Sequence, residues 1–370
     1  MKKNKSLKFM IIFFSLICLL LVITKNFLLP VFKFEPVTGN YKIAVHSISL
    51  IDHTRKNKDN KNRRINVDIW YPSNENSSNK KFYISNHNEF TQAIKKKYKL
   101  PKFLFNYLKK VDTGAFIDSE FATDLEKTPV IFFSHGNMLG QNFTNTFQVR
   151  ELVSHGYTVI TIEHPDTAFL SAYGNGDFYT FTDFTKETKM EYTAQNEKSI
   201  PFIENQTEDI LFVLDQLKHQ NNFKFINHLD FNRIGIMGHS FGGATAINTM
   251  YESSDFKAGI DMDGYLYGPK RYTPLDKPML IMNGEHEQKE LKDPPEMKKA
   301  EQNRRKSVLG TTGKQVGLEN AGHLSFTDIP LYSPMIETIS PKVKENHKEI
   351  NELTLQFFNR YLKGEENEIE

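Results

Sequence analysis

Ser240 stands between two glycines in the run N-R-I-G-I-M-G-H-S-F-G-G-A that fills residues 232–244. A serine hydroxyl attacks an ester carbonyl only when it is exposed, held in one geometry and relieved of its proton during the attack. A G-x-S-x-G corner supplies the first two, because the serine sits on a strained turn between a strand and a helix. Gly238 and Gly242 flank it where a side chain would collide with the tight backbone. A histidine must take the proton and a carboxylate must hold that histidine, in the chain order serine, acid, histidine. His323, in A-G-H-L-S-F after the last strand, has a glycine before it and a short loop around it, which suits a side chain reaching for Ser240. His135, His164, His239 and His286 also fall at strand ends or at the corner, and His135 and His239 are read as packing beside it.

The residue pattern leaves the acid open. Asp263 closes the strand A-G-I-D-M-D, while Glu285 and Glu287 close the next one, M-L-I-M-N-G-E-H-E, and either end could reach a histidine Nδ1. Asp261 shares a face with Asp263 by strand alternation but lies further from the strand end. Glu285, His286 and Glu287 are neighbours on a strand and diverge, so they are not read as metal ligands, and nothing else in the chain asks for a metal or cofactor. The turn after His135 and Gly136 and the residue after the nucleophile each offer a backbone N–H, from Asn137 and Phe241, for an oxyanion hole. Losing one such donor costs about 3 to 4 kcal/mol of transition-state stabilisation.

These groups need strands that end at one rim. Residues 129–133, 157–162, 232–238, 258–262, 279–283 and 315–319 are short apolar runs, with helical patterns at 147–155 and 208–220 and one opening after Ser240. Strand and helix in alternation predict a doubly wound, mostly parallel α/β sheet of about eight strands, with the site at the carboxyl ends of the strands. Residues 41–50 and 64–72 alternate around a polar hairpin loop at 52–62 and predict two antiparallel edge strands. The aromatic, polar stretch 167–201 is long for a loop and reads as a lid-like insertion. Residues 345–361 place Ile350, Leu353, Phe357 and Tyr361 on one face of a closing amphipathic helix.

Lys2, Lys3, Lys5 and Lys8 precede an almost wholly apolar run at 9–24 with no small-x-small cleavage site behind it. This predicts a signal anchor within 1–35 and a single domain over 36–370 held on the extracytoplasmic face of the cell membrane, or secreted if the segment is cleaved. The one cysteine, Cys18, lies in that run, so no disulfide helps the body fold. The basic, aromatic stretch 82–111 carries two readings, a solvated helix with one core-facing stripe or a surface that touches lipid. A formal net charge of +2 over 370 residues asks for no nucleic acid as partner.

Phe133-Ser134-His135-Gly136, the run from Gly238 to Thr245, Met262-Asp263-Gly264 and Gly322-His323 with Phe326 together resemble the plasma-type platelet-activating factor acetylhydrolases, the lipoprotein-associated phospholipase A2 group. The resemblance covers most of 64–328. It implies an α/β-hydrolase fold and calcium-independent hydrolysis of short or oxidised sn-2 acyl esters of phospholipids. Matched residue by residue, it implies Ser240 as nucleophile, Asp263 as acid, His323 as base and the Asn137 and Phe241 N–H groups as oxyanion donors. Asn137, usually apolar in the relatives, and Gly264 depart from the pattern and bear on substrate preference. Two other readings stand beside it: a general carboxylesterase or polyesterase of the dienelactone hydrolase or cutinase kind, and a surface-anchored binding protein on a dead hydrolase scaffold.

Overall fold

Successive residues of a strand face opposite sides of its sheet, so a strand buried along its whole length needs a cover on each side. All of Thr128–Ser134 is buried, and its side chains divide accordingly. Val130 and Phe132 join one apolar cluster, Ile131 and Phe133 the other.

The computed structural model describes residues 27–366 except 76, 175, 183–191, 220–224, 270–271 and 285–294, together with residues 12, 15 and 16. Its strands are β1 (Lys42–Lys56), β2 (Asn62–Ser73), β3 (Lys80–Phe82), β4 (Asp112–Ile117), β5 (Thr128–Ser134), β6 (Thr158–Glu163), β7 (Ser171–Ala172), β8 (Phe178–Tyr179), β9 (Leu229–His239), β10 (Phe256–Met262), β11 (Met279–Gly284) and β12 (Lys314–Leu318). Among the described residues ten of them form one sheet in the order β12-β11-β10-β9-β5-β6-β2-β1-β4-β3, and β7 pairs with β8 as a small ribbon. The six strands from β12 to β6 are parallel, as the alternating pattern requires. Helices α1 (His87–Tyr98), α2 (Thr146–Ser154), α3 (Tyr192–His219), α4 (Phe241–Glu252), α5 (Pro295–Leu309) and α6 (Val343–Phe358) connect or cover them. Ile210, Val213 and Leu217 of α3 and Ile247 and Met250 of α4 fill the first cluster, whereas Leu152 of α2 and Ile350, Leu353 and Phe357 of α6 fill the second.

Three expectations change. The sheet has ten strands rather than about eight, because the short β3 and β4 flank the basic stretch 82–111 and carry too few residues for a readable alternation. They add beyond β1, so the β1–β2 hairpin lies inside the sheet rather than at its edge. Helix α3 begins at Tyr192 and runs through Pro201, so the last third of the expected lid is helical. A proline inside a helix loses one hydrogen bond; here tertiary contacts hold the helix on both sides of it, with Ile203 fully buried and Asn196 Oδ1 accepting the Gly268 N–H at 2.9 Å.

Most of the expected anchor lies outside the described residues, and among the described residues no helix is long and apolar enough to cross a membrane. Contact with the body begins ahead of the expected boundary at 36: Ser333 Oγ donates to the Leu28 carbonyl, and Phe32 stacks on Tyr332 with ring centroids 5.9 Å apart. The stretch 82–111 carries both buried and exposed apolar side chains. Phe90, Ala93 and Ile94 of α1 pack against Phe169, Leu170 and Phe181, while Phe82, Tyr98, Leu100 and Phe103 remain exposed.

Candidate active site

The corner between β9 and α4 forms because glycine occupies the two positions where nothing else fits. A Cβ on Gly238 would lie 2.0 Å from the Gly242 carbonyl oxygen, and one on Gly242 would lie 2.1 Å from that of Ser134. Ser240 between them takes φ 56°, ψ −121°, a backbone state that costs a non-glycine residue about 1 to 3 kcal/mol and persists only where packing enforces it. Its N–H donates to the Met262 carbonyl at 2.9 Å, which ties the corner to the end of β10. One strand further along, the Asp263 N–H donates to the Met282 carbonyl at 2.8 Å, and Asp263 also has a left-handed φ of 54°.

These two pinned turns aim side chains at one imidazole. His323 lies in the loop after β12, with Nδ1 2.7 Å from Asp263 Oδ2 and Nε2 3.0 Å from Ser240 Oγ. Both distances are within reach for proton transfer, and the carboxylate sets the tautomer so that Nδ1–H donates to it and Nε2 accepts from the hydroxyl. Burial pushes the Asp263 carboxyl up, but the His323 hydrogen bond and charge, the Gly284 N–H at 2.9 Å and His239 together hold it below its ordinary value. His323 is 37% exposed, so a substrate can reach the proton-accepting nitrogen. The arrangement can activate a hydroxyl for acyl transfer.

His239 is not part of that chain. Its Nε2–H donates to the His323 carbonyl at 3.0 Å, and burial followed by the nearby His323 pushes it down to about 3, so it is a neutral prop for the loop. Asp261 sits behind the corner, fully buried, with Oδ1 accepting the Gly264 N–H at 3.0 Å. Glu285, His286 and Glu287 lie outside the described residues. The His135–Gly136–Asn137 turn abuts the corner, since a Cβ on Gly136 would stand 3.1 Å from Ser240 Cβ. Among the described residues no group of three His, Cys, Asp or Glu side chains could hold a metal ion.

Residues 30–367 match the family described as platelet-activating factor acetylhydrolase, isoform II. The chain belongs to that family. This acetylhydrolase-family chain is 25% identical over 331 residues to the platelet-activating factor acetylhydrolase of Cavia porcellus, covering 81% of this chain and 73% of that protein. A probable 1-alkyl-2-acetylglycerophosphocholine esterase of Arthroderma benhamiae is 32% identical over 148 residues, 40% of this chain and 34% of the fungal one. Among solved structures, a ferulic acid esterase from Streptomyces cinnamoneus superposes with a TM-score of 0.72 at 22% identity, over 90% of this chain and 94% of that one, which is a likeness of fold.

The family match does not point to a second polar assembly behind the corner of this acetylhydrolase-family chain, and sequence reasoning missed it. Arg63 clamps Asp209 through Nε at 2.7 Å and Nη2 at 2.8 Å, and its Nη1 reaches Asp166 at 2.6 Å. Asp209 accepts from His164 Nδ1 at 3.1 Å, and His164 Nε2 meets Ser134 Oγ at 3.0 Å. Burial would push Asp209 up, but the charge and hydrogen bonds of Arg63, then those of His164, hold it well below the usual carboxylate range. One signal was readable: Gln206 and Asp209 fall on the same helical face as Ile210 and Val213, polar groups on a stripe that otherwise enters the core.

Proposed function

We propose that this protein is a serine esterase that hydrolyses short or oxidised sn-2 acyl esters of phospholipids through an acyl-enzyme, independently of calcium. The observation that carries the reading is a single imidazole with Ser240 Oγ on one nitrogen and the Asp263 carboxylate on the other. Ser240 Oγ attacks the ester carbonyl as its proton passes to His323 Nε2. Asp263 steadies the imidazolium, and the N–H groups of Asn137 and Phe241 receive the developing oxyanion. His323 then hands the proton to the leaving alcohol, and water repeats the cycle on the acyl-serine.

Access to a lipid surface belongs to the same proposal. Lys95, Lys99, Lys102 and Lys109 surround a cleft of about 780 Å³ that also includes Leu100 and Phe103. Exposed aromatic and aliphatic side chains among lysines suit an anionic interface. The apolar run at 9–24 would act as an anchor holding the body at the outer face of the membrane.

An acyl-chain series on phosphatidylcholines, with Ser240→Ala as blank, tests the assignment. Hydrolysis of 2-acetyl substrates well above long-chain ones is expected. Turnover of small aryl esters with no phospholipid hydrolysis would make it a general carboxylesterase instead.

A further inference from the structure

We infer that His135 is a positioning residue that aims the Asn137 N–H at the reacting carbonyl, an inference that rests on the esterase reading above. His135 follows β5 and is fully buried. The partners of its two ring nitrogens fix their roles. Nδ1 lies 2.7 Å from the Gly136 carbonyl oxygen, which only accepts, so Nδ1 carries the hydrogen. Nε2 lies 3.0 Å from the His164 backbone nitrogen, which only donates, so Nε2 presents its lone pair. One neutral tautomer satisfies both. Burial, then the neighbouring His164, pushes His135 down to about 3, which keeps that tautomer at neutral pH.

The tautomer holds one specific peptide. No peptide among the described residues is cis, and in a planar trans unit the C=O and N–H point in opposite directions. Fastening the Gly136 carbonyl to the imidazole therefore sends the Asn137 N–H out on the other edge, where no acceptor among the described residues takes it. The carbonyl is also enclosed, since a Cβ on Gly140 would lie 1.9 Å from it. His164, whose N–H selects the His135 tautomer, is held in turn by Asp209, and Asp209 by Arg63. The buried assembly thus ends on an oxyanion donor, with the Gly136 Cα against the Ser240 side chain.

Three replacements and one spectrum test this. His135→Asn puts an amide nitrogen near the place of Nδ1; His135→Gln puts one near Nε2; His135→Leu has none. On a short-chain ester the Asn variant is expected within about 5-fold of the parent kcat, and the Gln and Leu variants down about 100-fold or more with KM within about 3-fold. A general packing defect would not distinguish the two amides, so equal kcat for Asn and Gln, or Asn the slower, overturns the inference. Long-range ¹H–¹⁵N NMR of the parent protein reads the tautomer without any replacement: Nδ1–H throughout pH 5 to 8 is expected, and Nε2–H or a titrating ring overturns it. Ser240→Ala separates the two levels. If it retains parental turnover the esterase assignment has failed; if it is silent while every His135 variant matches the parent, this inference alone has failed.

Discussion

Replacing Asp261 by Asn should make folding stability less sensitive to pH, with a slope that follows from the site. The Asp261 carboxyl is fully buried under the corner, one oxygen accepting the Gly264 N–H and the other without a partner among the described residues. Burial pushes it up to about 8, against the opposing pull of Arg305 and the Gly264 N–H. Between its ordinary value near 3.8 and about 8 the unfolded chain releases the proton while the folded chain keeps it. Stability therefore falls as pH rises through that window, by roughly 1 to 2 kcal/mol per pH unit, or about 3 kcal/mol from pH 5 to pH 7. Asn has the same shape and does not titrate. The unfolding free energy of Asp261→Asn minus that of the parent should thus climb by about 3 kcal/mol over the interval, measured by urea unfolding at pH 5, 6 and 7 at one ionic strength. Glu163 and Asp328, also pushed up to about 8 by burial, are common to both chains and cancel. A difference that does not change with pH would show that Asp261 carries no extra proton in the folded state and would refute the argument.

Other outcomes test the site more directly. Ser240→Ala should abolish labelling by a fluorophosphonate, and a label recovered on another residue sinks its role as nucleophile. Asp263→Asn, whose amide oxygen stays on the Gly284 N–H and whose NH2 then faces His323 Nδ1 and imposes the wrong tautomer, is expected to lower kcat by about 10⁴ with the chain still folded; a loss under 10-fold would show that another carboxylate serves. Gly242→Ala should yield insoluble or destabilised protein, because the new methyl would meet the Ser134 carbonyl at 2.1 Å, so a parental melting temperature contradicts the packing described. Glutamate at Lys95, Lys99 and Lys102 together should lower hydrolysis of anionic phospholipid vesicles at least 10-fold and leave a soluble short-chain ester unaffected; equal rates on vesicles would remove the interfacial role of this surface.

The corner was legible in the sequence because its causes are local. A buried strand, two glycines and a helix start lie within thirteen residues, and the glycine requirement at 238 is a clash with the Gly242 carbonyl inside the turn itself, whereas that at 242 comes from Ser134 at the end of β5. His323 was legible for a related reason: a glycine-led loop after the last parallel strand opens on the rim where a doubly wound sheet presents its strand ends. The parallel strands likewise announced themselves as short continuous apolar runs, and the closing helix through its period-3.6 stripe. The acid was different. In sequence Asp263 follows β10 while Glu285 and Glu287 follow β11, its neighbour in the sheet, and no residue pattern chooses between the two strand ends. The left-handed turn of Asp263, held by Met282, puts its carboxylate on His323 Nδ1, and that turn exists only once β10 and β11 are paired. The Arg63–Asp209–His164 assembly joins a strand, a helix and a strand end that are up to 146 residues apart. Its members have little meaning singly, because a buried charge is tolerated only where its partners are, and those partners are brought together by the fold alone.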